Sequence, residues 1–204
     1  AWWDIYAQLL PIAAVLSSVV AAQSLGQEYR FGLIRLTLTA FPQRMRILTA
    51  KAVMVIVMAL VFCAVAYLMC WLALGAHGFA VPTVAAPDST YLLRGACYVV
   101  LWSLSAWALA GITRQTALGI VVPIVSGFIV EQIVGLLLRD HAAWLADNLP
   151  WSTAGRWPYD LTTLVGADAP GTVPSSGWTA TGTFSLWVAA MVAAEVAVFL
   201  RRDA

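Results

Sequence analysis

Charge is what this chain has least of. Only 10% of its 204 residues are Asp, Glu, Lys or Arg, against about 25% in a typical soluble domain. With so few charged side chains to face water, a soluble globular domain is excluded as the reading of the whole chain. The two histidines and three cysteines are equally sparse. Cys63, Cys70 and Cys97 form no Cys-x-x-Cys pair and stand inside apolar runs, and His77 and His141 are isolated. No metal-ligand spacing exists, and core packing is the expected role of the thiols. A Gly-x-x-x-x-Gly-Lys-Ser/Thr phosphate loop is missing, so an ATP site of that kind is not expected in this chain. Gly-x-Ser-x-Gly and His-Glu-x-x-His are missing too, which weakens an intramembrane hydrolase. No basic face and no recognition motif supports a nucleic-acid partner. The first residues, Ala1-Trp2-Trp3, are not preceded by a basic segment, and no signal peptide is expected.

What is present is apolar: 62% of the residues are hydrophobic and the mean hydropathy is +0.85. A bilayer core about 30 Å thick needs about 20 apolar residues at about 1.5 Å per residue. Five segments qualify: 5–26, 52–74, 92–112, 117–138 and 183–200. The expected fold is therefore an all-α integral membrane protein, a polytopic helical bundle forming a single domain over residues 1–204. Pro11 is tolerable inside the first span because neighbouring helices can satisfy the freed carbonyl.

The eleven basic residues set the orientation. Arg30, Arg35, Arg44, Arg46 and Lys51 fall between the first two spans, and a basic cluster beside apolar spans marks the cytoplasmic side. Residues 28–40 interleave Phe31, Leu33, Ile34 and Leu38 with Arg30 and Arg35, the pattern of an amphipathic helix along the interface, stopped or bent by Pro42. Arg44, Arg46 and Lys51 then lead into the second span. Residues 75–90 are expected to be an ordinary external loop. Arg114, in the short turn 113–116, falls on the basic side, as do Arg201 and Arg202. Only Arg94, Arg139 and Arg156 fall outside. Residues 139–181, with four prolines and four tryptophans, are expected to form an external re-entrant or interfacial helical cap. Trp2, Trp3, Trp71, Trp144, Trp151, Trp157, Trp178 and Trp187 map to the outer interface as an aromatic belt, whereas Trp102 and Trp107 are expected to pack between helices.

Two carboxylates lie within spans, and each must face protein or a water path, or be protonated. Gly127, Glu131 and Gly135 are spaced by four and share a helix face, with the glycines letting a neighbouring helix approach. Glu131 is then a polar point in a substrate path or an interhelical hydrogen bond. Glu195, within two turns of Arg201 and Arg202, is expected in an interfacial ion pair.

The segment Glu28-x-x-x-Gly32-Leu33-x-Arg35-x-x-Leu38-x-x-x-Pro42-x-Arg44, followed by Ala50-Lys51 and a new span, resembles the cytoplasmic segment of ABC-2 type transporter permeases, especially actinobacterial ones. The order of the rest is similar: two spans, a basic turn, a span with a mid-membrane carboxylate, an external Leu149-Pro150 segment and a last span ending in Arg-Arg-Asp. Family members usually have six spans and five are counted here, so the expectation is that one helix precedes residue 1 or that this member lacks it. It also implies that residues 28–48 are a coupling segment resting on a separate ATP-binding subunit. Glu28, Arg30, Gly32, Arg35, Pro42, Arg44 and Arg46 would carry that contact, together with Arg114. A second permease copy or paralogue and membrane lipid are the other partners implied. ATP and magnesium would be bound by the partner and no cofactor by this chain. The implied activity is export of a hydrophobic or amphipathic small molecule, drug or lipid-like, across the cell membrane, with the C-terminus cytoplasmic. A membrane enzyme using Glu131 and the external Asp residues, and a non-transporting scaffold or sensor, are the alternatives from other classes.

Overall fold

The longest apolar runs become the longest helices. In the structure, a computed structural model that describes residues 2–32, 44–77, 86–138, 141–142, 148–151 and 177–202, α1 spans Trp2–Arg30, α2 Arg44–Ala76 and α3 Ala86–Thr113. They are followed by α4 Thr116–Val125, a π-helical turn Ser126–Val130, α5 Glu131–Leu138 and α6 Gly177–Arg202. No strand occurs among the described residues. Four of these helices, α1, α2, α3 and α6, are long and apolar enough to cross a bilayer. The chain is thus a helical, multi-pass membrane protein by length and composition.

Packing follows the small residues. α1 and α3 form the central pair, with α2, α4 and α6 against one or both of them. A Cβ at Gly119 of α4 would lie 2.6 Å from the Ala110 Cβ and 2.8 Å from the Ala106 carbonyl on α3. That near-contact of backbones is how helices associate where lipid removes the hydrophobic drive. Hydroxyls join the same pair: Ser17 and Ser103 lie 2.7 Å apart, while Ser17 donates to the Ala14 carbonyl and Ser103 to that of Val99. At one end of the bundle Tyr6, Leu10, Cys63, Cys70, Tyr98, Trp102, Trp151 and Phe184 close a core. At the other, Ala21, Leu25, Leu48, Val55, Trp107 and Phe199 close a second. Each long helix contributes opposite termini to the two cores: α1, α3 and α6 run from the first core to the second, and α2 runs back. α2 presents the lipid-facing side, with Val53, Met54, Val57, Val61, Val65, Leu68 and Leu72 exposed along its length, a stripe larger than a soluble monomer leaves open.

Several boundaries move relative to the sequence reading. The segment between the first two spans is shorter than expected, because residues 28–30 belong to α1 and Arg44 already belongs to α2. Arg, Met, Leu, Ala and Lys are good helix formers and nothing between Arg44 and Ala52 breaks the ladder. The 33 residues of α2 rise about 50 Å, so its basic first turns project beyond a core about 30 Å thick. The external loop ends earlier than 90, because α3 starts at Ala86 with Pro87 in its first turn, where proline's missing N–H costs nothing. The fourth expected span, 117–138, is helical throughout but is not one α-helix. Its first part, Thr116–Val130, is too short to cross alone. The cap at 139–181 and the amphipathic segment 28–40 lie largely outside the described residues, only 28–32 of the latter being described. Trp151, expected in the interfacial belt, is instead buried in the first core.

Candidate functional site

The basic end of the bundle gathers the motif residues that are described. α1 closes with Glu28 and Arg30. Its C-terminus is capped as sequence order dictates: the Phe31 N–H donates to the Gln27 carbonyl at 2.9 Å and the Gly32 N–H to that of Tyr29 at 3.3 Å. Gly32 has φ of 67° with open space around it, the left-handed C-terminal position that glycine fills without a Cβ penalty.

Glu28 does not stand free at the interface. Lys51, two turns into α2, donates to Glu28 Oε1 at 2.6 Å and to the Ser24 carbonyl at 2.8 Å. Both side chains are largely sheltered, with 14% of Lys51 and 24% of Glu28 accessible. The ammonium therefore ties the end of α1 to the start of α2 and pairs with the Glu28 carboxylate.

The turn between α3 and α4 meets the same place. Arg114 has φ of 57°, and its guanidinium sits 5.1 Å over the Tyr29 ring of α1, within cation–π range. Beside it, a Cβ at Gly26 would come within 2.8 Å of the Thr116 Cα. Three chain segments distant in sequence, the end of α1, the start of α2 and the Arg114 turn, thus form one joint. Arg30 faces away from it, exposed, with its guanidinium 5.7 Å over Phe31. Arg46 is exposed on the first turn of α2. Arg44 begins that helix. Arg35 and Pro42 lie outside the described residues. Nothing in the spacing of the motif indicated Ser24, Gly26, Tyr29 or Thr116. The usable signal was small: a glycine inside an apolar run, and opposite charges closing one span and opening the next, which the membrane obliges to pair.

The second candidate site is built on the π turn. Pro123 lacks the N–H that the Gly119 carbonyl would accept, and three residues on the chain widens, the Glu131 N–H donating to the Ser126 carbonyl five residues back. This widened turn brings Gly127 against two indoles: its Cβ would be 2.8 Å from Trp102 Cη2 and 3.0 Å from Trp151 Cβ. The Trp102 ring also lies 6.0 Å from that of Phe128. Glu131 is buried, 6% exposed. At Gly135 no described residue lies within 4 Å of where a Cβ would be. Past Glu131 the bundle falls away, and Ile133, Leu136 and Leu137 of α5 are exposed, so a shared face has no described helix to meet. Glu195 departs from expectation. It makes no ion pair among the described residues; it is 1% exposed and neither carboxyl oxygen has a hydrogen-bond partner.

No group of three or more His, Cys, Asp or Glu side chains that could hold a metal occurs among the described residues. Comparison with protein-family models, with curated proteins and with solved structures finds no match.

Proposed function

We propose that this chain is the membrane-spanning permease subunit of an ATP-driven ABC-2 type exporter, moving a hydrophobic or amphipathic small molecule outward. The joint at the basic end carries the reading. A permease moved by a separate ATPase needs a place where force applied outside the bilayer reaches several helices at once. Lys51 clamps α2 to Glu28 and the Ser24 carbonyl of α1, and Arg114 stacks the α3–α4 turn on Tyr29. A push on residues 28–48 would therefore move α1, α2 and the Arg114 turn together. Arg30 and Arg46, exposed beside the joint, are free to meet an acidic surface, where complementary charge gives specificity and rate.

In this reading the basic end is cytoplasmic under the positive-inside rule and the C-terminus lies on the same side. Segment 117–138 is the fourth span, with Glu131 beside the path or holding a neighbouring helix. ATP is hydrolysed in the partner, and a second copy or paralogue of the chain completes the transporter. Closure of the ATP-binding subunits rearranges the spans by alternating access.

The test is charge reversal at the exposed end. Arg30→Glu combined with Arg35→Glu, in the full chain co-expressed with its ATP-binding partner subunit, is expected to release that subunit on purification and abolish its stimulation by the membrane subunit. Co-purification and stimulated turnover unchanged from the native pair would overturn the coupling assignment.

A further inference from the structure

Glu195 is a charged residue type in the least hospitable place in the bundle. It lies on α6, within a helix that is long and apolar enough to cross a bilayer. It is 1% exposed, and both carboxyl oxygens are buried without a hydrogen-bond partner. The packing is specific. A Cβ at Gly111 of α3 would lie 2.6 Å from Glu195 Cγ, 2.8 Å from Oε1 and 2.7 Å from the Leu25 Cδ2 of α1. The side chain thus occupies a notch that exists because position 111 is glycine. Around this notch, Leu25, Trp107, Ala108 and Phe199 form the apolar core of the basic end, with Met191, Val192 and Val196 of α6 against it.

The charges on the surrounding elements are engaged elsewhere. Glu28 of α1 and Lys51 of α2 hold each other. Arg114, just past the end of α3, lies over Tyr29. Arg201, further along α6, is exposed. None of them pairs with Glu195 among the described residues. An ionised carboxylate in such a place pays its desolvation with nothing in return. A charge within a span is costly unless it is paired, and a neutral carboxyl costs far less. A proton is also the one cation that needs no room in a notch this tight.

We propose that Glu195 is a proton-binding site: its carboxyl is neutral while α6 lies on Gly111, and parting of α6 from α3 lets water reach it and releases the proton. Movement of α6 against α3 is then proton-coupled. This does not depend on the exporter reading, since any rearrangement of the bundle that opens this seam would carry the proton with it.

Infrared spectroscopy of the full chain in lipid at neutral pH tests it through the C=O stretch of a protonated carboxyl. The expected result is a band that shifts on ¹³C-glutamate labelling, persists in Glu131→Gln and is absent in Glu195→Gln. It should also move only slowly after transfer to D₂O, because exchange requires the seam to open. A native protein with no protonated-glutamate band overturns the proposal whether or not the variants fold. So does a band unchanged in Glu195→Gln, or one that shifts as fast as an exposed carboxyl.

Discussion

A single side chain, Lys51, decides whether the basic end holds together. Its ammonium is shared between Glu28 Oε1 and the Ser24 carbonyl, while the other carboxylate oxygen, Oε2, is buried with no hydrogen-bond partner. Removing the lysine therefore strands a carboxylate that water reaches poorly, and leaving a buried partner unpaired costs more than the pair itself contributes. Lys51→Met is expected to lower stability by about 1–3 kcal/mol. Glu28→Gln should cost less, because the amide oxygen still accepts from Lys51 and no charge is left alone. The double variant should recover part of the loss. Thermal unfolding of the three variants in detergent checks this. Equal losses for the two single variants, adding fully in the double, would mean that the pair is not coupled. Both residues were legible in sequence as motif positions, but their pairing was not, since only the helix geometry brings Glu28 and Lys51 together across the unpaired end of α1.

At the scale of elements, the π turn is where sequence periodicity gives way. Spacing by four places Gly127, Glu131 and Gly135 on one face of an α-helix, and the first two are indeed buried. A turn closed by a bond five residues back carries an extra residue, however, and inserts between α4 and α5 at the point where Gly127 meets Trp102 and Trp151. Such turns recur at functional positions. The two glycines consequently differ in role, which substitution can expose. Gly127→Ala places a methyl 2.8 Å from Trp102 Cη2 and 3.0 Å from Trp151 Cβ. Indoles buried on both sides cannot yield cheaply, and overpacking of this kind costs about 1–3 kcal/mol. Gly135→Ala meets no described residue and gains helix propensity of about 1 kcal/mol. Unfolding midpoints in detergent should fall for the first and hold or rise for the second. A larger loss at position 135 than at 127 would mean that α5 is covered by a helix packed on Gly135. What hid this arrangement from the sequence is that propensity names the breakers, Pro123 and Gly127, without saying whether the helix ends, kinks or widens. Termini were more legible: Gly32 stops α1 and Pro87 opens α3 for reasons that the residues themselves state.

For the whole molecule, the apolar runs alone fixed the class, and four of the five expected spans are single membrane-length helices. The alternation of α1, α2 and α3 was legible because charge and core composition agree. Leu25 and Phe199 meet Leu48 and Trp107 in the core at the end where Arg30, Lys51 and Arg114 lie, and Tyr6 and Phe184 meet Cys70 and Leu74 at the other. What composition could not supply is which side chains cross between helices, since any apolar residue satisfies hydrocarbon and contact depends on the small residues Gly26, Gly111 and Gly119. The alternation places two exposed residues on opposite sides of the bilayer: Gln115 in the α3–α4 turn and His77 just past α2. With the native cysteines Cys63, Cys70 and Cys97 replaced by serine or alanine, Gln115→Cys and His77→Cys should react with a membrane-impermeant maleimide in opposite senses. In intact cells His77→Cys is expected to label and Gln115→Cys to stay protected until the membrane is permeabilised, because the side rich in Arg and Lys is retained in the cytoplasm. The reverse pattern would leave the bundle intact and invert it in the membrane. Labelling of both in intact cells would contradict the alternation of α2 and α3 that both cores require.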